Sequence, residues 1–199
     1  MRSKGGVFDG DGNDKSVRIL DSALALFVRY GIKRTSVDDV VREAQVAKGT
    51  FYLYYPSKEA LFTAVAERFC GQTLMRCHEA LGSAGTLSER VLRYLDARVG
   101  APHRMVCESP HIAELKDARM AAAAEVCDEF DRRLDTLFSQ AMQSEGIQSK
   151  AAGEMFLAAA VGTLELGASD EKAYHSRLKV LVDTLLAGLE RLEKKSCGE

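Results

Sequence analysis

No run of the chain approaches the 18 or so consecutive apolar residues that a membrane-spanning helix needs. Arg2 and Lys4 are followed by glycines and acids, not by the apolar stretch of a secretory signal, so a cytoplasmic location with no membrane partner is expected. Cysteine is sparse and odd in number, five residues at scattered spacings, which argues against a disulfide framework and makes reduced thiols the expectation. An excess of positive charge is lacking as well. With a net charge of −2 the chain has none of the bulk basicity of proteins that coat nucleic acid indiscriminately. Also missing are strand-period alternation, an internal repeat, a phosphate-binding Gly-Lys loop, a paired-His zinc motif and a nucleophile elbow. Neither enzymatic activity nor a cofactor is expected.

What is present is helical periodicity in a chain of 199 residues, 46% of them hydrophobic, which is enough to bury a core. Met1 to Asp14 is rich in Gly and Asp and reads as a flexible tail. Its DGDGND run fails as a calcium loop, because Asp14 stands where the turn needs glycine and Leu20 where a bidentate Glu is required. Val17, Leu20, Leu24, Phe27 and Val28 predict a first helix that Gly31 ends. Further helices are expected from Ser57 toward Leu81, over Leu87 to Val99, over a short stretch bracketed by Pro102 and Pro110, from about Val126 to Gly146, over Gly153 to Gly167 and over Tyr174 to Leu192. The expected fold class is all-α. Its domains are a tail at 1–14, a three-helix head at 15–62, a larger helical domain at 63–195 and a short tail at 196–199.

The stretch TSVDDVVREAQVAKGTFYLYYPSKEALF, Thr35 to Phe62, carries most of the information. Ser36 caps a short helix lined by Val37, Val40, Val41 and Ala44, and after a corner at Gln45-Val46 a second helix begins near Ala47. Lys48, Gly49, Thr50, Tyr52 and Tyr54 on that second helix suit phosphates and base edges better than a core. Two short helices of this kind read as a helix-turn-helix, whose second helix enters the DNA major groove. Residues 1–70 carry a charge of +2 and the rest −4, with Lys33, Arg34, Arg42, Lys48 and Lys58 beside the two helices, a local basic edge on a near-neutral chain.

On the helix ending at Tyr30-Gly31, then TSVDDVVREA, then VAKGTFYLYYPSKEALF, the first 70 or so residues resemble the DNA-binding head of the TetR family of bacterial transcriptional regulators. The resemblance implies a homodimer on a roughly palindromic double-stranded DNA operator, acting as a repressor and released by a small-molecule effector held in the C-terminal domain. It implies phosphate contacts at Thr35 and Ser36, groove contacts at Lys48, Gly49 and Thr50, phosphate or base contacts at Tyr52 and Tyr54, and a backbone-anchoring role for Lys58. Phe51 and Tyr55 match positions that pack inside the head. Three positions depart from the pattern: Gln45 where glycine is frequent, Ala47 where a capping serine is frequent, and Tyr54 where histidine is frequent.

Beyond the head, a Gly- and Ala-rich face with Phe156, Ala159, Ala160 and Thr163, and a Leu-rich face with Leu178, Leu181, Leu185 and Leu189, could build a four-helix interface between two copies or be consumed within one. His103, Cys107 and Phe130 are the candidate effector contacts. His103, Cys107 and His111 are four apart, but Pro110 interrupts the helix, so a metal- or thiol-sensing repressor remains an alternative to one triggered by another small molecule. No resident metal is expected. A module that no longer binds DNA is the alternative that Gln45 and Ala47 allow. The acids Glu108, Glu114, Asp117, Glu125, Asp128, Glu129, Asp131 and Asp135 read as solvated faces beside Arg119, Arg132 and Arg133.

Overall fold

Apolar residues at helical spacing form helices throughout. The computed structural model describes residues 10–115, 117, 123–149, 151–166 and 170–196, and among these it holds nine α-helices and no strand. They are α1 (Gly10–Tyr30), α2 (Val37–Glu43), α3 (Lys48–Tyr54), α4 (Lys58–Gly82), α5 (Leu87–Leu95), α6 (Ala101–Val106), α7 (Ala124–Ser144), α8 (Ala152–Glu165) and α9 (Glu171–Ser196). Residues 1–9 and 197–199 of the two expected tails lie outside the described residues, as do Arg119 and Gly167. Residues 10–14, expected as tail, are the start of α1.

The helices belong to two compact units. One holds the chain up to Phe69 together with Glu108–Cys127, and the other Cys70–Cys107 together with the chain from Asp128. The first unit thus includes a segment, Glu108–Cys127, that lies far along the chain from the helix-turn-helix. Its core is Ile19, Leu20, Ala23 and Phe27 of α1, Val40 of α2, Ala44, Phe51 of α3, Tyr55, and Leu61, Phe62 and Val65 of α4, closed by Ala123 and Cys127. Ser109 Oγ donates to the Val28 carbonyl at 2.5 Å, and Glu114 Oε1 accepts from the Lys33 amide at 2.5 Å, tying that segment to the end of α1.

The second unit is built on an aromatic row, Tyr94, Phe138 and Phe156, with ring centroids 4.9 and 5.5 Å apart. Pro102 does not end a helix as its sequence position suggests. Asp96–Gly100 widens into a π-helical turn, the Ala101 amide bonds back to Asp96, and the helix continues as α6 through the proline, whose missing N–H the wider turn absorbs. Arg98 in that turn is almost wholly buried and is neutralised by Asp131 and Asp135 of α7 and by the Tyr94 hydroxyl. Two of the acids read as solvated therefore hold a buried cation.

The apolar faces of α8 and α9 are rotated from the expected interface. Phe156, Ala160, Thr163, Leu178 and Leu189 lie inside the core of their own unit and have no surface to offer a partner, while Leu185 packs against that core and Ala159 is half-buried. Of the residues assigned to an interface only Leu181 is exposed. The apolar side chains that do face outward are Met155, Val161 and Leu166 on α8 and Val180, Leu181 and Leu192 on α9. The physical reason is that each helix has apolar residues on two faces, and the core of the unit takes only one of them.

One turn is made twice from different residues. Gly146 (φ +82) ends α7, with the Ile147 amide on the Met142 carbonyl and the Gly146 amide on that of Gln143. The same pair of bonds ends α2, from Val46 to Val41 and from Gln45 to Arg42, but the left-handed position is Gln45 (φ +54). A Cβ is strained there, and Ala47 then caps α3 without a side-chain bond. Gln45→Gly is therefore expected to raise unfolding free energy by about 0.5–1 kcal/mol and Ala47→Ser by about 0.5–1 kcal/mol, read from urea titrations; a loss of stability in either would contradict this account of the corner.

Candidate nucleic-acid interface

The helix-turn-helix is positioned from its first corner. Gly31 (φ +83) stops α1, and Thr35, only 2% exposed, donates its hydroxyl to the Gly31 carbonyl at 2.7 Å. Thr35 is thus an internal strut, and the phosphate contact expected of its side chain is corrected. Its hydroxyl is already bonded inside the head. Lys58 completes the corner: its Nζ donates to the Ile32 carbonyl at 3.0 Å and to that of Thr35 at 3.3 Å. An ammonium has three donors, so one remains.

Ser36 and Asp39 form a reciprocal capping box at the start of α2. The Asp39 amide donates to Ser36 Oγ at 3.1 Å, and Ser36 N–H and Oγ–H donate to Asp39 Oδ2 at 3.0 and 2.6 Å. The Ser36 hydroxyl bond, with its backbone bond and Arg42, holds the Asp39 carboxyl below its usual range. Ser36 remains exposed and keeps lone-pair capacity toward solvent.

On α3, Phe51 is fully buried and Tyr55 nearly so, as expected, with Tyr55 Oη 2.8 Å from Ser16 Oγ. Lys48, Gly49, Tyr52 and Leu53 are exposed and Thr50 is half-buried. The Tyr52 ring stands edge-on to Phe51 at 5.2 Å, which orients it, and half of the residue's surface is open. Tyr54 turns partly inward and packs on the core of the head. Two exposed residues went unremarked in the sequence. Leu53 is 84% exposed, and a helical wheel would have shown it, since it lies two residues from Phe51 and so faces away from the core. Asp38 pairs with Lys48 at 2.8 Å, and that hydrogen bond raises the Lys48 pKa. No spacing rule along one helix would have revealed a pair that spans α2 and α3.

The residues matching the profile of the bacterial regulatory proteins of the tetR family are 19–65, the span from the middle of α1 to α4 that builds this head. Within residues 19–65 the chain therefore carries the DNA-binding head of the TetR family. The regulator YuxN of Bacillus subtilis, an uncharacterized HTH-type protein, is 38% identical over 63 residues, 32% of this chain and 22% of that protein. The transcriptional repressor KstR of Mycolicibacterium smegmatis is 30% identical over 134 residues, 65% of this chain and 63% of the repressor. A solved TetR-like regulator from Rhodococcus sp. RHA1 superposes with a TM-score of 0.61 at 26% identity, covering 87% of this chain and 96% of that one. The match to YuxN and to two further Bacillus subtilis regulators spans less than a third of their own length.

Beyond the head, the chain does not gather the expected effector residues. Phe130 packs against the core of the second unit, His103 is half-buried in α6, and Cys107 is exposed with its Sγ 3.5 Å from the Arg104 carbonyl. A groove of about 550 Å³ in that unit is lined instead by Leu74, His78, Glu129, Arg132, Arg133, Thr136, Leu137 and Gln140, none of them among the effector contacts expected from the sequence. Among the described residues no three His, Cys, Asp or Glu side chains come together as metal ligands. Burial pushes the Cys77 thiol up to about 12, so it stays protonated near neutrality.

Ser36→Ala removes one half of the capping box and should cost about 0.5–2 kcal/mol at pH 7. Because the folded Asp39 pKa is depressed, its contribution is complete above the unfolded value of about 3.9 and is lost as pH falls through the lower folded value. The gap between the melts of wild type and variant should therefore narrow as the pH is lowered below about 4, leaving the part due to the Asp39 amide on Ser36 Oγ, and a constant gap would show that the cap acts without the Asp39 carboxylate.

Proposed function

We propose that this protein is a homodimeric repressor that places α3 of each copy in the major groove of a palindromic DNA operator and is released by a small-molecule effector. The observation that carries the reading is the outer face of α3. Lys48, Thr50, Tyr52 and Leu53 together offer an ammonium, a hydroxyl, a phenol and an isobutyl group, of the kinds that bond phosphates, base edges and thymine methyls. Gly49 supports the same reading: a Cβ there would meet nothing within 4 Å, so the fold itself does not need glycine. Close approach of another molecule's backbone is a reason to have it. KstR is named a transcriptional repressor, which supports repression as the direction of control.

Dimerisation is assigned to the outward stripe of α8 and α9, with Val161, Val180 and Leu181 at its centre and Gly162 and Gly188, open at their Cα atoms, allowing close helix approach. Operator palindromy then follows from the twofold axis of the dimer. An effector that lowers DNA affinity must, by linkage, bind less tightly when operator is present.

Selection from a random duplex library tests the reading directly, and recovery of a palindrome with half-sites about one helical turn apart is expected; no enrichment would sink it. Gly49→Ala should hold or raise thermal stability while weakening binding to the selected duplex at least tenfold, about 1.4 kcal/mol. Lys58→Ala should weaken binding to all duplexes and flatten the salt dependence, whereas Thr50→Ala should shift preference among sequences. In sedimentation experiments Val180→Glu is expected to give folded monomers; Leu178→Glu, placing a charge in the core, should fail to fold. A dimer that survives Val180→Glu would move the interface elsewhere.

A further inference from the structure

Asp38 stands in the first turn of α2 and Lys48 opens α3, and the carboxylate meets the ammonium at 2.8 Å. Both side chains are more than half exposed, so the pair contributes little to stability. What joins the two helices is the burial of Val40, Ala44 and Phe51. The pair matters instead for charge. From Thr35 to Lys58 the chain carries three cations, Arg42, Lys48 and Lys58, and three acids, Asp38, Asp39 and Glu43. Arg42 is paired with Asp39, Lys48 with Asp38, and Lys58 with two backbone carbonyls. Each cation of this stretch already has a partner, and the stretch as a whole is neutral.

We infer that Asp38 is a positioning residue that makes Lys48 a reader of guanine instead of a clamp on phosphate. The inference rests on the reading of α3 as a DNA-recognition helix. An ammonium has three N–H donors. With one held by Asp38, two remain, and the major-groove edge of guanine presents two adjacent acceptors, O6 and N7. That edge is uncharged, so the Asp38 carboxylate can stay where it is while Lys48 bonds the base. A phosphate is different. Drawing Lys48 to a phosphate brings the Asp38 carboxylate toward the same negative charge, and like charges repel. Asp38 therefore lowers the affinity of Lys48 for backbone, which every sequence offers, and leaves its affinity for guanine, which only some positions offer. Specificity is a difference of affinities, and a repulsive group raises it by weakening the wrong partner.

The test compares wild type, Asp38→Asn, Asp38→Glu and Lys48→Gln on two probes: a duplex selected by wild type from a random library, and a shuffled duplex of the same composition. Binding is followed by fluorescence anisotropy between 50 and 200 mM salt. Asp38→Asn is expected to bind the shuffled duplex about tenfold more tightly at low salt, with a salt slope steeper by about one, and to lose preference for the selected duplex. Asp38→Glu should restore the wild-type slope and preference, which a merely structural role for Asp38 would not require. Adding Asp38→Asn to Lys48→Gln should leave the preference where Lys48→Gln alone sets it. A wild-type slope and preference in Asp38→Asn, or an equal loss on both probes, would overturn the inference while leaving the DNA reading intact. Failure of wild type to select any sequence would overturn both, and that result precedes any variant.

Discussion

A helix of seven residues cannot hold itself in water, since isolated helices shorter than about 12–15 residues are marginal even with favourable sequences. Everything that α3 presents outward therefore depends on one inward contact, the burial of Phe51. Phe51 belongs to the core cluster that α1, α2 and α4 also supply, and burying a side chain of that size contributes roughly 1.5–3 kcal/mol. Tyr55 adds a second anchor one turn later, its hydroxyl tied to Ser16 of α1. The N-terminal end of α3 has no side-chain cap, because Ala47 offers no such bond and the turn before it runs through a left-handed glutamine. The pose of the helix is set by packing, and its local sequence only permits it.

The first corner shows the same dependence in polar form. Thr35 and Lys58, which resemblance assigns to phosphates, are engaged first with the carbonyls of the chain itself, at Gly31, Ile32 and Thr35. A buried carbonyl without a partner is costly, so these bonds fix the route from α1 into α2 before any ligand arrives. Glu114 and Ser109 reach the same corner from a segment 81 residues away. The corner of the head is thus shared with a segment distant in the chain but within the same unit, and the division of the chain into units follows contacts, not sequence order.

In the second unit the decisive constraint is a buried cation. Arg98 needs both Asp131 and Asp135, and the π-helical turn that carries it lets α6 continue through Pro102. Asp96, in the same turn, is raised by its partial burial, yet Arg104 and His175 bonded to its carboxylate outweigh that and leave its pKa below the usual range. Acids that a sequence reads as solvent-facing are here the counter-charges that make an arginine tolerable inside.

The sequence by itself determined most of the helices, their caps at Ser36 and Ser57 and the glycine stops at Gly31 and Gly146, because each follows from spacing or backbone chemistry within a few residues, and the family resemblance marked the corner at Gln45 and the inward Phe51 and Tyr55. Residue types in the head carried enough information to place it in its family. Only the tertiary structure decided that Thr35 faces inward, that Asp38 meets Lys48, that Leu53 stands open, and which of two apolar stripes on α8 and α9 the core would take. Those outcomes depend on distances between segments that periodicity cannot measure. A helical pattern says that a face is apolar, and only the competition among all such faces for one interior says which of them remains outside.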